Sequence, residues 1–124
     1  MNRILLVDDE PSILHGLALG LSSRENTVEC ADSGESAIRK GRDRQYDVLI
    51  VDLCLPDMHG FDVFQTLKAG NPQLVTIVIT AQSSRETAAE AWKLGVDAYF
   101  EKPFHVSFIK DAIARGVERR AFDH

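Results

Sequence analysis

Three short apolar runs, each cut off by an acid or a hydroxyl, constrain this chain more than any other feature. Ile4-Leu5-Leu6-Val7 stops at Asp8-Asp9-Glu10-Pro11, Val48-Leu49-Ile50-Val51 stops at Asp52, and Val75-Thr76-Ile77-Val78-Ile79 stops at Thr80. Uninterrupted, β-branched runs of this length fit strands buried on both faces. The segment 27–31 alternates more and reads as an edge strand. The segment 97–100 reads as a weaker fifth strand between Gly95 and Lys102-Pro103.

Helical patterns fill the gaps. Pro11 suits a first helical position, and Ile13, Leu14, Leu17 and Leu21 then form one stripe. Ser33 is placed to cap a helix carrying Ala37 and Ile38. The segment 61–69 has Val63, Phe64 and Leu67 on one side and is stopped by Gly70-Asn71-Pro72. Ser83 or Ser84 caps a fourth helix with Ala88, Ala91 and Leu94 inward. A fifth spans about 105–120, with Phe108, Ile109, Ala112, Ile113 and Val117 inward. A strand followed by a helix, five times over, predicts an α/β fold with a five-stranded parallel sheet covered on both faces.

At 124 residues, the expectation is one domain over 1–124, with no room for a second in the four residues after Arg120. Lys and Arg number 14 against 19 Asp and Glu, a net charge of −5. That balance argues against direct nucleic-acid contact and against a polybasic membrane surface. No apolar run approaches the roughly 18 residues of a spanning helix, and the four apolar residues after Arg3 are too few for a signal-peptide core. Cys30 and Cys54 are far apart and outside any zinc spacing, so the expected location is the reducing cytoplasm.

In an open parallel sheet, ligands bind beyond the carboxyl ends of the strands. Asp8, Asp9, Asp52 and Thr80 all stand at such ends, and Lys102 closely follows the fifth strand. Two carboxylates about 4 Å apart repel by roughly 4 kcal/mol at an effective dielectric of 20. A divalent cation relieves that, and an all-oxygen site beside a phosphate suits Mg²⁺. Lys102 offers a point charge and Thr80 a donor to phosphoryl oxygens, while Asp52 can act as nucleophile and become an aspartyl-phosphate. Taken singly, each residue has a plainer reading: Asp8-Asp9-Glu10 as a helix cap, Asp52 as a turn residue, Thr80 as a strand end and Lys102 as a solvated side chain. Their joint placement favours the site. Asp57, Asp62, Glu25 and Glu35 show no such convergence and read as surface. His15, His59, His105 and His124 have no evident partners.

The runs 4–10 and 52–60, with Thr80-Ala81 and Lys102-Pro103-Phe104, make the whole chain resemble the receiver domains of two-component response regulators. The resemblance implies the flavodoxin-like (βα)5 fold with strand order 2-1-3-4-5. It implies that Asp52 accepts a phosphoryl group from a histidine of a sensor kinase or phosphotransfer protein. It further implies that Asp9 ligates Mg²⁺ directly, that Asp8 acts largely through water, and that the backbone carbonyl of Cys54 is a ligand. Ala81 would leave room for the phosphoryl group, and the Lys102-Pro103 bond would be cis. Thr80 and Tyr99 would form a switch that repacks the face made by the fourth helix, fifth strand and fifth helix. Tyr99 as an ordinary amphipathic edge residue is the alternative.

Cys54 and Gln82 are the positions expected to tune the lifetime of the phosphorylated state. Neither offers strong general-base help to an attacking water, so a fairly long-lived state is expected. Trp92 reads either as helix packing or as a half-exposed anchor on the output face. Downstream partners would be an output domain or protein on that face, with a homodimer as an open option. The full-length protein could be a transcriptional regulator. Catalysis is expected only in self-phosphorylation and self-dephosphorylation. Competing readings are a true phosphotransferase, for which the chain leaves little room for a substrate cap, and a flavin module, which Asp8-Asp9-Glu10 would repel without metal. A degenerate receiver acting as an interaction scaffold is a third.

Overall fold

The computed structural model describes residues 1–122; His124 lies outside them. Five strands alternate with five helices. They are β1 (Asn2–Val7), α1 (Pro11–Leu21), β2 (Asn26–Ala31), α2 (Gly34–Asp43), β3 (Val48–Asp52), α3 (Gly60–Gly70), β4 (Val75–Thr80), α4 (Arg85–Leu94), β5 (Ala98–Glu101) and α5 (Val106–Phe122). All neighbouring strands pair in parallel, in the order β2-β1-β3-β4-β5.

The expected architecture is therefore found, and the apolar runs explain it. Successive strand residues point to opposite faces, so a run that is apolar throughout needs cover on both. Leu5, Val7, Leu49, Val51 and Val78 join a core with Ala37 of α2, Val63 and Phe64 of α3, and Ala91 of α4. Ile4, Leu6, Ile50, Ile77 and Ile79 join the opposite core with Leu17 and Leu21 of α1 and Ile109 and Ile113 of α5. β1, β3 and β4 are interior strands, and the alternating segment β2 is at the edge.

Two helix caps follow the sequence reading. Ser33 accepts a hydrogen bond from Ser36 N, and Ser84 accepts one from Thr87 N. One inward assignment fails: Phe108 is 61% exposed. Its helix turns Ile109 and Ile113 to the sheet, and Phe108 lies one position round from Ile109, beyond the stripe that reaches the core. Trp92 on α4 is 54% exposed, as a half-exposed side chain would be.

Candidate functional site

Strand order reverses between β1 and β3, whose carboxyl ends carry Asp8 and Asp52. Both carboxylates are buried, as is Thr80 at the end of β4, while Asp9 is exposed. One oxygen each from Asp8, Asp9 and Asp52 can be chosen so that all lie within 4.8 Å of one another. The side chain of Lys102 reaches into this group. Its Nζ donates to Asp8 Oδ2 at 2.7 Å, to Asp52 Oδ2 at 3.0 Å and to Glu10 Oε1 at 3.3 Å.

The remaining oxygens are held by the backbone. Glu10 N donates to Asp8 Oδ1 at 2.9 Å, and Cys54 N donates to Asp52 Oδ1 at 3.1 Å. The plain helix-cap reading of Asp8-Asp9-Glu10 does not hold: Glu10 is the cap residue of α1, and no side chain caps that helix end. Asp8 is instead folded back against Lys102. Thr80 Oγ1 accepts from Gln82 N at 3.1 Å, and Lys102 N donates to Thr80 O at 2.8 Å, so the ends of β4 and β5 are tied together. The Lys102-Pro103 peptide is cis.

Three carboxylates against one ammonium leave an excess of negative charge in a largely buried setting. Burial pushes the Asp8 carboxyl up, and the neighbouring Asp52 charge adds to this. Hydrogen bonds from Lys102 and Glu10 N offset it only in part. Burial by itself would push the Lys102 ammonium down, but its hydrogen bonds to Asp8 and Asp52 win and hold it above its usual value. The donors on offer are hard oxygens in a compact group, a set that fits a small divalent cation such as Mg²⁺.

A model of the response regulator receiver domain matches residues 4–114. The chain belongs to that family. Its receiver is 32% identical over 124 residues to the cell cycle response regulator CtrA of Brucella ovis, covering 98% of this chain and 52% of that protein. The chain thus spans about half the length of the curated relatives it matches. A receiver domain from Methanospirillum hungatei superposes with a TM-score of 0.94 at 25% identity, covering 100% of this chain and 99% of that one. A response regulator from Burkholderia pseudomallei, solved with a phosphorylated aspartic acid, a calcium ion and citrate, superposes with a TM-score of 0.85 at 28% identity, covering 99% of this chain and 73% of that one.

Within this receiver, Asp8, Asp9, Asp52 and Lys102 converge, with Thr80 at the neighbouring strand end. Ala81, Gln82 and Cys54 are exposed on the loops beside them. Tyr99 is partly buried, and its hydroxyl lies 2.9 Å from Ser83 Oγ in the β4–α4 loop. Gly60, which had no separate reading in the sequence, and Asp57 shape the loop between β3 and α3. Gly60 lies so close to Asp52 O that a Cβ there would collide with it, and would stand 2.7 Å from Leu53 Cα. Only glycine lets α3 begin that near the end of β3. Asp57, read as plain surface, is exposed yet accepts from Gly34 N at 2.8 Å and Glu35 N at 2.9 Å. It caps α2 from the loop that follows Asp52, and those hydrogen bonds hold its carboxyl below the usual range. His59 likewise belongs to the loop: its Nδ1 accepts from Phe61 N and caps α3.

Proposed function

We propose that the receiver, taken as one domain over residues 1–124, is a phosphorylation-dependent signalling switch in which Asp52 accepts a phosphoryl group from the histidine of a sensor kinase or phosphotransfer protein. The observation that carries this reading is the bridge of Lys102 between Asp8 and Asp52 inside an acidic cluster. A lone pair on an Asp52 carboxylate oxygen attacks phosphorus, forming the acyl phosphate as the donor's P–N bond breaks and its electron pair stays on the imidazole. Asp52 is held for this by Cys54 N on one oxygen and Lys102 on the other. The Lys102 ammonium is then within reach of the incoming phosphoryl oxygens.

Asp9 would hold Mg²⁺ directly, with Asp52 and the Cys54 carbonyl, and Asp8 would act through water. When bound, the ion would neutralise charge that Asp52 and the phosphoryl group would otherwise bring together. Ala81 leaves room for the phosphoryl group. Thr80, whose Oγ1 accepts from Gln82 N, turns its hydroxyl to donate to a phosphoryl oxygen, Tyr99 leaves Ser83 and turns inward, and the α4–β5–α5 face repacks. This is a population shift, driven by phosphoryl contacts that differ between two states.

Output passes to a domain or protein docking on that face, where Trp92 and Phe108 stand exposed, or to a second copy of the chain. A full-length transcriptional regulator in the cytoplasm is the setting we propose, and self-phosphorylation and self-dephosphorylation are the chemistry the receiver performs. Neither Cys54 nor Gln82 is an effective base, so hydrolysis is slow; Gln82→Glu and Cys54→Asn should change its rate, and identical rates would remove both positions from that role.

The test of the whole reading is incubation with Mg²⁺ and a small phosphodonor. An acid-stable, base-labile adduct should form on Asp52 and be absent from Asp52→Asn. An adduct that persists in Asp52→Asn, or none in the wild type, would refute it.

A further inference from the structure

An α-helix begins with backbone N–H groups that have no partner inside the helix. In the first turn of α2 these groups are paired in two different ways. Ser33 supplies local partners: its Oγ accepts from Ser36 N at 3.1 Å, and its carbonyl accepts from Ala37 N at 3.1 Å. The other two donors are served from the loop between β3 and α3. Asp57 Oδ1 accepts from Gly34 N at 2.8 Å, and Oδ2 accepts from Glu35 N at 2.9 Å. Both oxygens of one carboxylate are thus committed to the backbone of another element. Such hydrogen bonds are charge-assisted, and the helix dipole favours an anion at this end.

The next residue extends the contact. A Cβ at Gly34 would strike the side chain of Met58, so glycine is what leaves Met58 room against this helix end. Met58 and Leu55, on either side of Asp57, also pack against the core.

The loop that carries Asp57 is closed at its base. Cys54 and His59 pair in an antiparallel bridge, and Gly60 N donates to Leu53 O at 2.9 Å. Asp57 stands near the tip. A short closed loop moves as a unit, so a tie at its tip also restrains its base. That base holds Cys54, whose N–H donates to Asp52 Oδ1 at 3.1 Å.

We propose that Asp57 is a positioning residue for the metal: by tying the loop tip to the first turn of α2, it holds the backbone of Cys54 in place to ligate Mg²⁺. This rests on the reading of Asp9, Asp52 and the Cys54 carbonyl as the metal's ligands. Asp57 does not touch the ion. The coupling is reciprocal: the factor by which the tie strengthens metal binding is the factor by which bound metal strengthens the tie.

Titration of the whole chain with MgCl₂, followed by amide NMR, measures both directions. Asp57→Ala should raise the Kd for Mg²⁺ about fivefold, the lower end of typical coupling between sites. Saturating Mg²⁺ should slow solvent exchange of the Gly34 and Glu35 amides of the wild type by a similar factor. Two controls separate positioning from stability and from charge. Ser33→Ala removes the local cap of the same helix end, and Glu35→Gln removes one negative charge there without breaking the tie; both should leave the Kd unchanged. An unchanged Kd in Asp57→Ala, amide exchange at Gly34 and Glu35 that ignores Mg²⁺, or an equal loss of affinity in either control would each overturn the proposal. If the wild type binds Mg²⁺ and Asp57→Ala binds it equally well, only the role of Asp57 falls; if the wild type binds none, the ligand assignment falls with it. Should Asp57→Ala not fold, the exchange measurement on the wild type decides alone.

Discussion

At the carboxyl ends of the strands, one ammonium, Lys102, answers two buried carboxylates, with Asp9 beside them. At the amino ends the proportion is reversed: one carboxylate, Asp97, is answered by two guanidinium groups. Arg120 lies 3.2 Å from it and Arg119 3.8 Å. Asp97 also accepts from Thr76 N at 2.8 Å, and Arg120 donates to Leu74 O at 3.3 Å. That lower cluster ties α5 to β4, and its single carboxylate is matched by positive charge. The upper one carries more negative charge than the protein neutralises. The contrast separates an ion pair that holds the fold together from a charge excess that a bound cation would relieve.

The largest effect should come from breaking the lower cluster. Asp97→Ala strands Arg120 in a mostly buried setting and should cost about 3 kcal/mol, read as a lower urea midpoint. Phosphoryl uptake by the folded fraction should be unchanged; a parallel loss of uptake would mean that the two ends are not separable.

The upper cluster should respond in the opposite sense. Asp8→Asn removes a carboxylate whose folded-state pKa lies above its unfolded value. Such a group costs stability once it is ionised in the fold, and the cost fades as pH falls through that raised pKa toward the ordinary carboxylate value. Without metal, Asp8→Asn should therefore raise the urea midpoint at pH 7, and the gain should vanish in acid. Mg²⁺ at ten times its Kd should stabilise the wild type by about 1.4 kcal/mol and the variant by less. Equal metal response in both would exclude Asp8 from the metal site.

The smallest effect concerns the loop that leaves the carboxyl end of β3. Asp57 has a lowered pKa, so its contribution is present above the ordinary carboxylate range and is lost as pH falls through the lowered folded value. Asp57→Ala should lower the midpoint at pH 7 and converge with the wild type in acid. A difference that persists unchanged at low pH would show that charge on the α2 cap is irrelevant.

These residues differ in how far the sequence disclosed them. Asp8, Asp52 and Thr80 were legible because each ends an apolar run, and a parallel sheet brings such ends to one rim. Asp57 was not, because its partners, Gly34 N and Glu35 N, are backbone groups more than twenty positions away in the chain. The pairing of Asp97 with Arg120 was hidden for the same reason: it needs the register of α5 on the sheet. Phe108 shows the limit of periodicity, since an apolar residue one step off the buried stripe looks the same in sequence as one within it.

The most direct measurement is an amide NMR titration with Mg²⁺ and beryllofluoride, a phosphoryl mimic. Cys54 should respond to Mg²⁺ alone, while new resonances for Ala81, Gln82 and Tyr99 should appear only with both components present, and not in Asp52→Asn. Absence of change at these amides, or the same change in Asp52→Asn, would contradict the account of Asp52 as the phosphoryl acceptor.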